Sequence, residues 1–179
     1  MSPRQIFVLM RPEHWVKNLF LFIPAFFAAR LDEPSVLYNA MMGFVAFCLI
    51  ASAVYVLNDM VDATQDRNHP DKNRRPVASG AISIRQAIAI LVLLLFFSTA
   101  LAAYLSTSML IFSLLYFVIN LFYSFSLKHI AIIDISLIGL GFLLRIFAGG
   151  AVTGVAVSQW LIILTFLLGT IAMFLVIGD

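Results

Sequence analysis

The chain has 179 residues, of which 63% are hydrophobic and 11% are charged, and its formal net charge at pH 7 is +2. A soluble core of this size cannot bury so much apolar surface, so the composition excludes a water-soluble globular domain and predicts an all-α integral membrane protein. The basic residues flank apolar segments and do not form a solvated surface, which excludes a nucleic-acid-binding protein.

Six apolar segments are predicted to cross the membrane, because a spanning helix needs about 20 mostly apolar residues. Five of them meet or approach that length: Val36–Leu57, Ala87–Leu105, Met109–Leu127, Ile130–Val152 and Trp160–Ile177. The first segment, Trp15–Ala29, is shorter and contains Pro24. Neighbouring helices would have to satisfy the backbone groups that this proline frees. We expect residues 1–179 to form one membrane domain.

The basic residues fall mainly on one side of the predicted helices. Those on that side are Arg4, Arg11, Lys17, Arg67, Lys72, Arg74, Arg75, Arg85 and Lys128. The connection on the other side between the first two spans has only Arg30. Because Lys and Arg favour the cytoplasmic side, the N-terminus and the polar loop 58–80 are predicted to be cytoplasmic. We expect the membrane to be a bacterial or archaeal inner membrane. The sequence ends directly after the sixth segment without a basic flank, so we expect it to be the N-terminal part of a longer chain.

The polar loop 58–80 begins with regularly spaced acidic residues. If the second span continues as a helix, Asp59, Asp62 and Asp66 lie at i, i+3 and i+7, within an arc of about 60°. Three carboxylates on one face repel one another unless a cation lies among them. Mg²⁺ takes one or two carboxylates together with waters and substrate phosphate oxygens. The spacing therefore predicts that these aspartates hold Mg²⁺ against a diphosphate, with Asn58 orienting a ligand or capping the helix.

A basic group follows in the same loop at Lys72, Arg74 and Arg75. Guanidinium groups match phosphate oxygens in pairs, whereas lysine supplies a point charge. We expect these three residues to bind phosphates and to neutralise a leaving group. In the alternative interpretation, the acids and bases of the loop pair with one another and attract anionic lipid headgroups.

Three further polar residues lie in or beside the later spans. Arg145 lies about 16 Å deeper along its helix than Asp134, so it needs a partner or a wet cavity. We expect it to line a cavity and either contact phosphate or brace neighbouring helices. Asp134 would either join the site or pair with Lys128. Lys128 would either serve the site or mark topology by extending to the headgroups.

The pattern Asn58-Asp59-x-x-Asp62-x-x-x-Asp66, followed by Arg75-Pro76 and Ser79-Gly80, resembles the first Asp-rich motif of the UbiA superfamily of intramembrane prenyltransferases. The resemblance implies nine spanning helices around a central cavity that opens laterally to lipid. It also implies that Mg²⁺ is held between two Asp-rich motifs. Six spans would be about two-thirds of such a bundle.

Four further motifs resemble the branch of this family that contains decaprenyl-phosphate phosphoribosyltransferase. They are Arg11-Pro12-x-x-Trp15-x-Lys17-Asn18, His69-Pro70-x-Lys72-x-x-Arg75-Pro76, Tyr123-Ser124-x-x-Leu127-Lys128 and Gly141-Phe142-x-Leu144-Arg145. The resemblance implies phosphoribosyl diphosphate and a polyprenyl phosphate as substrates. It carries Asp59, Asp62, Asp66 and Lys128 over as catalytic residues, and places Arg11, Lys17, Asn18 and Tyr123 among the substrate-binding residues. The chain departs from that branch at Gly178-Asp179, where a basic segment with an acid is common, so the second motif is altered or absent.

Three alternatives remain open from the sequence. The first is prenyl transfer from a polyprenyl diphosphate to an aromatic or other acceptor. The second is an ion-coupled transporter, although such proteins carry key charges near the bilayer midplane and only Arg145 fits that pattern. The third is a noncatalytic lipid-binding fragment. In the leading interpretation the partners are a polyprenyl lipid, a small diphosphate-containing substrate and the membrane lipids.

Overall fold

The computed structural model describes the backbone of residues 2–127 and 131–177 and the side chains of residues 2–125 and 136–168. Within these residues every regular element is helical, which confirms the predicted all-α fold. The α-helices are α1 (Pro3–Met10), α2 (Ile23–Phe27), α3 (Pro34–Val61), α4 (Ala63–Arg67), α5 (Ile84–Leu105), α6 (Thr107–Phe122), α7 (Ala131–Thr153) and α8 (Gln159–Ile177). Two 3-10 helices, Pro12–Phe22 and Lys72–Arg74, and a π-helical segment, Tyr123–Leu127, complete the described part of the chain.

Four helical stretches in the described part are long and apolar enough to cross a membrane. They are Pro34–Val61, Ile84–Leu105, Thr107–Phe125 and Ser136–Thr153, and α8 adds the shorter apolar stretch Gln159–Leu168. The chain is therefore an integral membrane protein. The side chains of Ser83 and Ser106 cap the first turns of α5 and α6 by accepting backbone hydrogen bonds, which fixes where these two helices begin.

The predicted first span, Trp15–Ala29, is not a continuous α-helix. Its residues lie in the 3-10 helix Pro12–Phe22, followed by the five-residue α2. Runs of 3-10 helix longer than three or four residues are uncommon, so tertiary contacts have to hold this one. It packs against both α3 and α7. At Gly149 of α7 a Cβ atom would lie 2.0 Å from the carbonyl oxygen of Leu21, so only glycine permits this approach.

Hydrogen bonds tie the 3-10 helix to α3, the central helix of the fold. The indole nitrogen of Trp15 donates to the hydroxyl oxygen of Ser52 at 3.0 Å, and Ser52 donates to the carbonyl oxygen of Met10 at 2.9 Å. One turn away on α3, Cys48 Sγ accepts a hydrogen bond from the amide nitrogen of Asn18 at 3.2 Å. These contacts fix the depth of the N-terminal segment beside α3.

Helix α3 also packs against α1, α5, α6 and α7, so it lies among most of the other elements. Two apolar clusters surround it, one centred on Phe47 and Ile50 and the other on Val56 and Ile82. Because both clusters fix α3, the polar residues at its end are presented from a rigid support.

Candidate active site

The helix predicted to run through the acidic residues is interrupted. Helix α3 ends at Val61 and α4 begins at Ala63, leaving Asp62 between them. Hydrogen bonds of helical spacing nevertheless continue across the break. The amide of Asp62 donates to the carbonyl of Asn58 at 2.9 Å, and the amide of Asp66 donates to the carbonyl of Asp62 at 2.8 Å. Asp59 and Asp66 therefore keep nearly the relative placement that a continuous helix would give them.

Asp59 and Asp66 are buried, with 1% and 4% of their surface exposed. Nη1 of Arg75 lies 2.7 Å from Oδ2 of Asp66 and 3.8 Å from Oδ1 of Asp59. Nη2 of Arg11 lies 2.6 Å from the same Asp59 oxygen. Two carboxylates thus meet on one guanidinium, and a second guanidinium covers Asp59. We call these four residues the aspartate centre.

The predicted three-aspartate metal site stays a prediction. Among the described side chains, no group of three or more His, Cys, Asp or Glu residues is placed to hold a metal ion. The donors that do converge are two buried carboxylates, the number that Mg²⁺ commonly takes from a protein beside phosphate oxygens. The donor chemistry of Asp59 and Asp66 therefore fits Mg²⁺. The guanidinium groups of Arg11 and Arg75 balance their charge here.

Asn58 links the aspartate centre to the end of α6. The hydroxyl of Ser124 lies within hydrogen-bonding distance of Oδ1 of Asn58 and of the carbonyl oxygen of Asn120, which is 2.8 Å away, and its one proton serves one of these acceptors at a time. Ser124 is buried in the π-helical segment. This contact holds that segment against the end of α3, so Asn58 positions the neighbouring element in this structure.

A cavity of about 210 Å³ lies beside the aspartate centre. Its polar lining consists of Lys17, Tyr55, Tyr116, Asn120, Tyr123 and Arg145, and its apolar lining includes Ile119, Leu137, Ile138 and Phe142. None of the lining residues that the structure describes is acidic. The cavity therefore combines two cationic groups with hydroxyl and amide groups, a composition suited to an anion. We call it the cationic cavity.

Arg145 is 6% exposed, and its guanidinium group meets only neutral partners among the described side chains. Nε donates to Oδ1 of Asn18 at 2.8 Å, Nη1 donates to the carbonyl of Gly141 at 2.7 Å, and Nη2 donates to the hydroxyl of Tyr116 at 3.2 Å. Its central carbon lies 4.8 Å from the ring centre of Tyr116 and 5.3 Å from that of Phe47. These neutral dipoles and aromatic rings stabilise the positive charge of Arg145 but do not neutralise it.

Tyr55 connects the cationic cavity to the aspartate centre. It lines the cavity and lies one helical turn before Asp59 on α3. The guanidinium carbon of Arg11 lies 5.1 Å from the ring centre of Tyr55, while Arg11 also pairs with Asp59. The two centres are therefore adjacent.

The remaining predicted site residues divide among three places. Lys17 and Tyr123 line the cationic cavity, and Asn18 is buried and accepts a hydrogen bond from Arg145. Lys72 and Arg74 are exposed in the short 3-10 helix, and Arg74 lines a different groove. Lys128 and the side chain of Asp134 lie outside the described residues. Sequence reasoning missed Tyr55, Tyr116 and Asn120; the signal for Tyr55 was its position one turn before Asp59.

Comparison with known proteins identifies the family. Residues 18–178 match the UbiA prenyltransferase family. Decaprenyl-phosphate phosphoribosyltransferase of Mycolicibacterium smegmatis is 35% identical over 158 residues, covering 86% of this chain and 50% of the relative. The protein of the same name from Mycobacterium tuberculosis H37Rv is 38% identical over 160 residues, covering 87% and 53%. The chain thus spans about half the length of these relatives.

Solved structures share the fold. A UbiA homologue from Archaeoglobus fulgidus bound to GPP and Mg²⁺ matches with a TM-score of 0.79 at 24% identity, covering 93% of this chain and 60% of that chain. A digeranylgeranylglyceryl phosphate synthase structure matches with a TM-score of 0.78 at 18% identity, covering 96% and 59%. These likenesses show the fold, and the sequence match over residues 18–178 shows that the chain belongs to the UbiA prenyltransferase family.

Proposed function

We propose that this protein is a Mg²⁺-dependent membrane transferase that moves a phosphoribosyl group from phosphoribosyl diphosphate to a polyprenyl phosphate. The names of its mycobacterial relatives support this donor and acceptor. The observation that carries the proposal is the adjacency of the aspartate centre and the cationic cavity, because this reaction brings two phosphorylated substrates together.

In this proposal the aspartate centre receives the donor. Asp59 and Asp66, with Asp62 nearby, would hold Mg²⁺, which when bound supplies charge stabilisation to the departing diphosphate. Arg75 and Arg11 already lie against these carboxylates at 2.7 and 2.6 Å. Guanidinium groups placed there would bind diphosphate oxygens and stabilise the negative charge that develops as the bond to ribose breaks. Lys72, which is exposed on the same loop, would add attraction for the soluble donor.

The cationic cavity receives the phosphate of the lipid. Lys17 and Arg145 supply positive charge, and the hydroxyls of Tyr55 and Tyr123 supply hydrogen-bond donors. The lipid phosphate oxygen would attack the ribose carbon as the diphosphate leaves. Lys128 and Asp134 are assigned to the same polar pocket. The phosphorylated donor is soluble in water, which agrees with a cytoplasmic location for the loop 58–80.

Prenyl transfer to a neutral aromatic acceptor is the second candidate. It involves one phosphorylated substrate, so it leaves the second cationic group, Lys17 and Arg145, without an anion. The presence of that group beside the aspartate centre therefore favours phosphoribosyl transfer. A noncatalytic lipid-binding role would not require the buried carboxylates of Asp59 and Asp66.

The test is a direct comparison of the two reactions with purified full-length protein in lipid. One assay contains labelled phosphoribosyl diphosphate and a polyprenyl phosphate; the other contains a polyprenyl diphosphate and a neutral aromatic acceptor. We expect a labelled lipid product in the first assay, abolished by EDTA and restored by excess Mg²⁺. Product in the second assay alone would contradict the proposal in favour of prenyl transfer. The absence of product in both would favour a noncatalytic role.

A further inference from the structure

A second concavity lies between α1 and the polar loop. Its volume is about 240 Å³, and it shares no lining residue with the cationic cavity. Its lining comes from α1 and from the loop before α5: Arg4, Gln5, Val8, Arg74, Pro76, Ser79 and Ala81. Two guanidinium groups from distant parts of the chain therefore border one groove, which we call the interfacial groove.

The two arginines of this groove lack acidic partners among the described side chains. The ion pairs found there join Arg11, Arg30 and Arg75 to carboxylates, and none involves Arg4 or Arg74. Both residues are exposed. Two uncompensated guanidinium groups beside a concave surface favour a phosphate, whose oxygens match their paired donors.

The position of the groove relative to the membrane indicates the source of that phosphate. Ala81 lies just before Ile84, where the membrane-spanning α5 begins, and Ile84 is exposed. On the α1 side, Phe7 and Val8 are 60% and 52% exposed. A groove at the end of a spanning helix, bordered by exposed apolar side chains, lies at the level of the lipid headgroups.

We propose that the interfacial groove binds an anionic phospholipid, with its phosphate between Arg4 and Arg74 and its acyl chains along Val8 and the lipid-facing side of α5. A soluble phosphate would meet the same guanidinium groups but would gain nothing from the apolar border. The lipid would hold α1 against the loop that carries Arg75, one residue beyond Arg74. This inference does not depend on which group the protein transfers.

The test is lipid binding measured by native mass spectrometry on the detergent-purified chain, titrated with phosphatidylglycerol or phosphatidylcholine. We expect selective retention of phosphatidylglycerol. Arg4→Gln should weaken it roughly five-fold, and the double variant Arg4→Gln/Arg74→Gln should weaken it further. Arg85→Gln is the matched control, because Arg85 is an exposed arginine in the first turn of α5 that does not line the groove. It should bind phosphatidylglycerol as the wild type does.

Two results would overturn the proposal. Equal losses in Arg4→Gln and Arg85→Gln would show that the lipid responds to general basic charge and not to the groove. Displacement of the lipid by inorganic pyrophosphate, with pyrophosphate binding lost in Arg4→Gln, would make the groove a site for a soluble phosphate. Arg4→Lys keeps the charge and should retain most of the binding, and far-UV circular dichroism of each variant separates a binding loss from a folding loss.

Discussion

Arg75 and Arg145 show two ways to place a guanidinium group inside a membrane protein. The side chain of Arg75 is 26% exposed and meets two buried carboxylates. Arg145 is more deeply buried and meets an amide, a carbonyl, a hydroxyl and aromatic rings. The first arrangement balances charge within the protein, whereas the second leaves a net positive charge at the wall of a cavity.

This difference predicts that the two adjacent centres bind ligands of opposite charge. In the proposed function the carboxylates of the aspartate centre would hold a cation, and the cavity would hold an anion. Arginine suits the second place because its planar fork can donate to three neutral acceptors at once while presenting charge to the cavity. A lysine there would make fewer fixed contacts. The following variants test whether the two centres differ in this way.

The largest effect is expected on the acidic side of the comparison. Asp59→Asn removes one of the two buried carboxylates and leaves Arg11 without its partner. We expect turnover by the full-length protein to fall roughly 10²–10³-fold, because a preorganised charge at the reacting group is lost. Titration of activity with Mg²⁺ should show a higher requirement. Wild-type activity with an unchanged Mg²⁺ dependence would remove Asp59 from the proposed metal site.

Arg145 tests the cavity side. With Arg145→Leu we expect the KM for polyprenyl phosphate to rise roughly 10- to 100-fold, the range for a lost charged hydrogen-bonding group. The KM for phosphoribosyl diphosphate should change little. Arg145→Lys, the matched control, should recover part of the loss because it keeps the charge. Equal changes in both KM values would contradict the separation of the two sites.

The neutral partners of Arg145 give a smaller effect. Asn18→Ala removes the amide oxygen that accepts from Nε of Arg145 and the donor to Cys48. A buried donor left without a partner costs about 1–3 kcal/mol, so we expect a lower unfolding temperature. Cys48→Ala leaves the contact with Arg145 intact and should be milder. If both variants melt alike, the Asn18–Arg145 contact is not a main source of stability.

The smallest effect is expected at Arg30 and Glu33, a half-exposed pair away from both centres. Hydrogen bonding to Arg30 lowers the pKa of Glu33. Because the pKa of Glu33 is lower in the folded state, the pair stabilises the fold above the ordinary pKa of a glutamate. This stabilisation is lost as the pH falls through the lowered pKa. Arg30→Gln should return the pKa towards its ordinary value, measured by NMR titration, with no detectable change in unfolding temperature. A large loss of stability would show that this pair is not merely a surface contact.

The spanning helices were largely predictable, because hydropathy and length decide them. The predicted segment Ala87–Leu105 corresponds to α5, Ile84–Leu105, which begins three residues earlier at a serine cap. The 3-10 helix Pro12–Phe22 was not predictable, because its apolar composition is the same in either helical form. Long-range contacts such as that between Leu21 and Gly149 select it.

In the candidate site, too, local sequence patterns predicted some residues, whereas long-range contacts determined the others. Spacing brought out Asp59, Asp66 and Arg75, because residues close in sequence on one loop can meet only in a few ways. The interruption at Asp62 lay beyond a pattern-based argument, which treats the helix as continuous. The partners of Arg145 were also hidden, since Asn18 lies 127 residues away in sequence. Contacts across such distances depend on how whole helices pack.

The rise of the 3-10 helix sets the depth at which its residues lie beside α3. Trp15 and Asn18 are three residues apart, and their partners on α3, Ser52 and Cys48, are four residues apart. Three residues of a 3-10 helix rise about 6 Å, and so do four residues of an α-helix. The two helices therefore run in step although their pitches differ. Rewinding this segment as an α-helix would shorten each step to about 4.5 Å and draw Lys17 and Asn18 out of register with the buried guanidinium group.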